Sequence, residues 1–262
     1  MLFGHLSSLE YPEIEAIYDR FAALYSPSLN LGDQLLFHAW MNREGAALSM
    51  AANVAGIGSL CFEPETFLLK QALRAGVCDF LVLDLDEALR IQQNETRKGR
   101  AVAIAVAGEP EVVIAEAVER GLQPNVVVLL QQAGPDSRVG DIHGTEKLLA
   151  SGARRLVVRK PAEQMIDVHW SVAREPLRWL PFADALASTS LDPRDRTTSQ
   201  RRLWIENSPR YLGRHFAAQR FLPMTPDEAD RFFNAVQRDV EGGEIQVAVS
   251  VVRNGEEELV LS

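Results

Sequence analysis

The stretch HAWMNREGAALSMAANVAG, residues 38–56, decides how this chain is read. A short apolar run, QLLFHAW, leads into it, and Ala47, Met50, Ala51 and Val54 recur at helical spacing on the way out. The chain therefore passes from a strand through a brief turn into a helix whose small apolar stripe lets its backbone lie close to a sheet. In α/β proteins this is where free N–H groups at a helix N-terminus cradle a phosphate. A turn that admits a dinucleotide carries several glycines; this one has Gly45 alone.

Working outward, the same alternation repeats. Upstream, Ile14, Ile17, Phe21 and Leu24 mark a helix that precedes the sheet. Downstream, SLCF reads as a strand, and Pro64 and Gly76 bracket PETFLLKQALRAG as a helix. VCDFLVL reads as a buried strand, Asp84 and Glu87 as a capping pair, and DLDEALRIQQNETRKG as a helix ending at Gly99. Strand AVAIAV, helix PEVVIAEAVERG and strand NVVVLL follow, then TEKLLASG and RRLVVR as one more helix and strand. Short Val- and Ile-rich strands separated by helices predict a mostly parallel sheet with helices on both faces.

Beyond this the pattern becomes less regular. The expected division is an α/β domain over residues 1–160 and a smaller helical region over 161–262, ending in a hairpin. STSLDPRDRTTSQ is the best linker candidate. Thr225 and Glu228 have the spacing of a capping box, and EIQVAVSVV with EELVLS reads as a hairpin turning at Asn254 and Gly255.

Composition narrows the function. A net charge of −9 argues against nucleic acid as a partner, because counterion release needs a basic surface. No run approaches the roughly 20 apolar residues that a membrane span needs. Cys61 and Cys78 have neither metal nor disulfide spacing and lie in apolar surroundings, and no basic segment followed by an apolar run opens the chain, so the expected location is cytoplasmic.

The ordered set of motifs over residues 38–136 resembles the inserted NAD-binding domain of the urocanase (urocanate hydratase) family. HAWMNREGAALSMAANVAGIGSLCFE aligns with that family's first strand, turn, helix and second strand through Gly45, Ala47, Ala51, Ala52, Ala55, Gly56 and Glu63. DLDEALRI, VAIAVAGEPEVVIAEAVERGLQPNVV and LQQAGPD fall in order behind it. The resemblance implies a Rossmann-like sheet, NAD as cofactor and paired subunits.

Carried over position by position, it marks Arg43, Gly45, Glu63, Gly108, Gln131 and Asp136 as the cofactor-binding candidates. Gly45 would let a diphosphate approach the backbone, and Glu63 at a strand end would reach a ribose hydroxyl, or else serve the next helix as an N-terminal charge. Gly108 would shape a third loop. Several departures point the other way. The family's other turn glycines are replaced by Trp40, Asn42, Arg43 and Ala46; Glu44 brings negative charge where a phosphate would rest; Glu109 and Pro135 replace polar family residues. The family's Y-S-G-x-x-A-R-I substrate loop and its histidine- and glycine-rich C-terminal segment have no counterpart in this sequence, and no catalytic or metal-binding residue is assigned.

The leading expectation is thus a urocanase-related protein with a degenerate NAD site and a non-catalytic structural or interaction role. The alternatives are a protein binding NAD, another nucleotide or a small anion near Arg43, Gly45 and Glu63, and a urocanase-like lyase completed by a partner chain. Arg194, Arg196, Arg201, Arg202, Arg210, Arg214 and Arg220, with His215, form a basic island in an acidic protein. It reads either as an anion site or as a solvated face whose arginines pair with acids.

Overall fold

The computed structural model describes residue 9 and residues 11–25, 34–129, 142–158 and 164–260. It forms two compact units, Met1–Val158 and Arg159–Ser262.

The first unit is the α/β sheet that the alternation predicts. In chain order it runs α1 (Ile14–Leu24), β1 (Leu35–Ala39), α2 (Arg43–Ala55), β2 (Gly58–Glu63), α3 (Thr66–Ala75), β3 (Phe80–Val82), α4 (Leu85–Arg97), β4 (Ala103–Ala107), α5 (Pro110–Glu119), β5 (Val126–Val128), α6 (Thr145–Ala150) and β6 (Arg154–Arg155). All six strands are parallel, in the order β3-β4-β2-β1-β5-β6. Because side chains alternate across a strand, Phe37, Leu60, Phe62, Ile104, Val106 and Val127 share one face, where they pack with Leu85 and Ala88 of α4, Ile114 and Ala117 of α5, and Leu148 of α6. On the other face His38 meets Ser49 of α2. The small residues of α2 do what their spacing suggests: from Gly45 to Val54 every residue is buried.

The capping signals hold at Asp84, whose carboxylate accepts the Glu87 N–H, and at Gly76, which ends α3 in the left-handed conformation. Two local readings change. Pro64 is not the first residue of α3, since Glu65 caps a helix that starts at Thr66. VCDFLVL is not a fully buried strand either: β3 is a short edge strand with Phe80 exposed.

The second unit contains more sheet than its sequence discloses. It runs β7 (Ile166–Val172), α7 (Pro176–Ser190), α8 (Thr198–Leu212), β8 (Gln219–Met224), α9 (Pro226–Glu241), β9 (Val249–Arg253) and β10 (Glu256–Val260). The expected hairpin is β9–β10, with Asn254 and Gly255 both at positive φ as a tight two-residue turn requires. It forms half of a four-stranded antiparallel sheet, β10-β9-β7-β8. Val168 and Trp170 of β7 are buried beneath α7 and α9, and the Trp170 ring meets that of Phe232 edge-on at 5.1 Å.

The edge strand β8 is covered by side chains from α8. The Trp204 indole N–H donates to the Phe221 carbonyl at 2.7 Å, and Arg201 donates to the Pro223 carbonyl at 3.3 Å. These alternate residues turn away from β7, and Pro223 has no N–H to leave bare on that side.

STSLDPRDRTTSQ is accordingly no linker between units. It ends α7 and begins α8, and it carries Asp192, Asp195 and Thr198 into the buried network that organises the second unit. Arg201 and Glu228 are both fully buried and form a double hydrogen bond at 2.6 and 3.0 Å. Arg201 also binds Asp195 at 2.8 Å, while Glu228 completes the capping box with Thr225 and accepts the Asp192 N–H. Burial alone would raise the Glu228 carboxyl, but the Arg201 and backbone donors outweigh it and hold the group below its ordinary value. Nearby, burial raises the Asp184 carboxyl despite its bonds from Arg220 and Trp170.

Removing one member of the buried pair strands the other. Arg201→Ala is expected to lower stability by about 3–5 kcal/mol in urea unfolding. With its folded value depressed, Glu228 contributes stability that is fully present above its ordinary pKa of 4.5 and is lost as pH falls through the lower folded value. Glu228→Gln should remove that part of the acid dependence, which urea midpoints measured from neutral pH downward will show.

Candidate functional site

The carboxyl ends of β1, β2 and β4 lie side by side, with Ala39 opposite Phe62 and Glu63 opposite Ala107. In an open α/β sheet this edge is where ligands bind. The residues after β1 form the turn singled out by sequence, and each can now be placed.

Asn42 caps α2, its side chain accepting the Gly45 N–H at 3.0 Å. It thereby takes one of the first-turn donors that an anion would otherwise use. Trp40 has a φ of 69°, the left-handed region that a bulky residue seldom enters. Its carbonyl is folded over the start of the helix. A Cβ on Gly45 would lie 1.8 Å from the Trp40 carbonyl oxygen, so Gly45 is required here by the chain's own main chain.

Glu63 holds that turn in place. The residue is 3% exposed, and its two oxygens are divided between two main-chain donors, the Met41 N–H at 3.0 Å and the Glu65 N–H at 2.8 Å. One carboxylate thus ties the turn after β1 to the turn after β2. Gly108 continues the ladder beside it, donating its N–H to the Glu63 carbonyl at 3.2 Å, and a Cβ there would press on Val113 at 2.9 Å.

The charged pair at the helix start faces α1. Arg20 grips Glu44 through both oxygens, at 3.0 and 2.5 Å, and Arg43 reaches Glu13 at 3.4 Å. A cleft of about 480 Å³ lies between α1 and the start of α2, lined by Arg20, Asn42, Arg43 and Glu44 with Pro12 and Ala16. Its two arginines are matched by Glu44 and Glu13, which leaves little positive field for an anion.

Below the turn, His38 is wholly buried; its Nε2 pairs with Ser49 at 3.0 Å, and burial lowers its pKa to about 3. Burial likewise raises the Cys78 thiol to about 12 and pushes the Cys61 thiol well up, so neither is a poised nucleophile.

The structure therefore brings Gly45, Glu63 and Gly108 to one sheet edge and turns Arg43 toward α1. Gln131 and Asp136 lie outside the described residues. Met41 and Arg20 do not emerge from the sequence reading, and Trp40 and Asn42 enter it only as lost glycines, although Asn42 carries a usable signal as a capping residue three positions before Gly45. The basic island does not act as a unit: Arg201 and Arg220 are buried against carboxylates, whereas Arg194, Arg196, Arg202, Arg210 and Arg214 are exposed. Among the described residues no group of three or more His, Cys, Asp or Glu is arranged to hold a metal, and no helix is long and apolar enough to cross a membrane.

Because the Glu63 carboxylate satisfies two main-chain donors, Glu63→Ala should destabilise the fold by about 2–6 kcal/mol, each stranded donor costing about 1–3. Gly45→Ala should do comparable damage by forcing the Trp40 carbonyl outward. Glu65→Ala, which keeps its own N–H, should cost less than either, and urea denaturation will rank the three.

The match to known proteins agrees with the topology. A family model described as the urocanase Rossmann-like domain matches residues 21–168, more than half of the chain, from within α1 through all six parallel strands to the start of β7. The chain belongs to the urocanase family, through its Rossmann-like domain.

Proposed function

We propose that this chain keeps the family's sheet while its nucleotide turn is rebuilt as a structural joint, so that the protein acts as a non-catalytic interaction module. The observation that carries this reading is the Glu63 carboxylate, buried and divided between the Met41 and Glu65 N–H groups. A carboxylate that held a ribose would need an oxygen exposed toward the ligand. Glu63 is instead 3% exposed and turned to two main-chain donors, which leaves a ribose hydroxyl almost no acceptor surface to reach.

The turn fits NAD poorly for two further reasons. A diphosphate needs bare main chain at the helix start, and that position is filled by the Trp40 carbonyl packed over Gly45. It also needs a positive field, and the nearest arginines are matched one for one by Glu44 and Glu13. The same rebuilding disfavours the alternative ligands, since Asn42 already takes the Gly45 N–H that another nucleotide or a small anion would use. A catalytic role fares no better: the sequence lacks the family's substrate loop, and stabilising a transition state requires groups placed around the reacting atoms.

In this reading the protein works in the cytoplasm, consistent with Cys61 and Cys78 as free, buried thiols. Its net charge of −9 directs it toward protein rather than nucleic-acid partners.

Calorimetry decides the matter. Titration of the full chain with NAD is expected to give no saturable heat up to about 1 mM, an affinity weaker than about −4 kcal/mol. Saturable binding in the micromolar range, abolished by Glu63→Gln, would overturn the proposal and return Glu63 to a ligand-binding role.

A further inference from the structure

The basic island splits in the structure, and its outward half lacks counter-charge. Arg201 and Arg220 turn inward to carboxylates, whereas Arg194, Arg196, Arg202, Arg210 and Arg214 are exposed, and among the described residues none of these five forms an ion pair. Elsewhere the same acidic chain matches surface arginines with acids: Arg20 holds Glu44, Arg43 holds Glu13, Arg120 holds Asp86 and Arg253 holds Asp230. The acids nearest the island in sequence are already engaged, since Asp195 serves Arg201 and Thr197, and Asp192 takes the Arg194 N–H.

Helix α8 fixes the spacing of the free charges. Trp204, Ile205, Ser208 and Leu212 face the core with Arg201, so Arg202, Glu206 and Arg210 run in one row along the opposite, exposed side. At a rise of about 1.5 Å per residue, the row presents plus, minus, plus at steps of about 6 Å. Glu206 forms an ion pair with neither arginine. Arg194 and Arg196 precede the helix start, where no acidic residue occupies the first turn and the main-chain dipole adds to the positive end.

We infer that this outer face of α8 docks an acidic helix of a partner protein, one whose carboxylates stand eight residues apart with a lysine or arginine midway. Charge complementarity selects that occupant. Each guanidinium then meets a carboxylate and Glu206 meets a cation, which is the i, i+4, i+8 pattern of a helix laid alongside. A nucleic-acid strand is the wrong match, because its phosphates recur about every 3.4 Å and set negative charge against Glu206 as well as against the arginines. A sheet of anionic lipid headgroups does the same, and the row carries no apolar side chain to insert. Fields fade over about 8 Å at physiological ionic strength, so the row acts locally although the chain carries a net charge of −9.

The inference rests on the interaction role argued above and names its partner class; the two fail separately, because docking is measured without nucleotide. The test is fluorescence anisotropy of the full chain with a labelled alanine-based peptide of about 18 residues, carrying Glu, Lys and Glu at i, i+4 and i+8 and further glutamates at both ends. In about 50 mM salt, saturable binding is expected at about 100 µM, the weak range of exposed charge pairs, and about 200 mM salt should weaken it at least about fivefold. Arg202→Glu with Arg210→Glu should weaken it at least about 10-fold with circular dichroism unchanged, and Arg202→Gln with Arg210→Gln should weaken it less. Arg74→Glu with Arg97→Glu, the same change of net charge at exposed positions of α3 and α4 in the other unit, should leave it intact. Glu206→Lys should reverse the preference, favouring a permuted peptide of the same composition with glutamate in place of the central lysine.

No saturable binding up to about 1 mM would overturn the inference, as would binding that survives both pairs of substitutions at Arg202 and Arg210. A permuted peptide, a single-stranded oligonucleotide of equal charge or phosphatidylserine vesicles bound as tightly by the wild-type chain would overturn it equally.

Discussion

A carboxylate that is out of reach of water must find donors inside the protein, and in the first unit that requirement fixes the carboxyl edge of the sheet. Glu63 ends β2 at 3% exposure and takes the Met41 and Glu65 N–H groups. Hydrogen bonds to a charged acceptor are the strong ones, and here they extend the joining of the two turns past the last ladder bond, from the Trp40 N–H to the Phe62 carbonyl. The left-handed Trp40, the glycine at 45 and the Asn42 cap all follow from holding the Met41 N–H toward that acid. Each would be a local oddity alone; together they make one strained turn pinned at its middle.

The second unit meets the same requirement with different donors. Glu228 is neutralised by the Arg201 guanidinium and by main-chain N–H groups, and Asp184 by Arg220 and the Trp170 indole. These pairs link segments distant in sequence: Arg201 and Glu228 join α8 to α9, and Asp184 and Arg220 join α7 to β8. Desolvation makes such pairs weak sources of net stability but severe to break, so their value lies in which arrangement they permit. Arg201 also reaches the Pro223 carbonyl on the edge strand, and one side chain thereby serves the ion pair and the protection of β8.

This division explains what could be read in the sequence. The parallel sheet was legible because it rests on local signals: helical spacing at Ile14, Ile17, Phe21 and Leu24, Val-rich strands, and caps at Gly76 and Asp84. The hairpin was legible from Asn254 and Gly255. β7 and β8 were not, because their partners are far away and their sequences are interrupted by charge and proline: Arg220 and Pro223 look wrong for a strand until Asp184 and an exposed edge account for them. The basic island left two readings open for the same reason, since charge in sequence does not disclose which guanidiniums turn inward. At the turn, Gly45, Glu63 and Gly108 were identified as edge residues, but Arg20 with Glu44, 24 positions apart, could only come from the packing of α1 on α2.

Glu63 shows why kinship and use separate. The residue aligns with a position that the family resemblance assigns to a ribose, and a carboxylate at the end of β2 suits that task and this one equally. Chemistry decides between them through what else the acid must satisfy. With several glycines in the preceding turn, main chain can retreat and leave the acid facing a ligand. In the proposed reading, with Trp40, Asn42, Arg43 and Ala46 in their place, main chain reaches the acid through the Met41 N–H and the carboxylate serves the fold. The proposed change requires no alteration at position 63, because the same carboxylate can accept from a ligand hydroxyl or from the chain's own N–H groups.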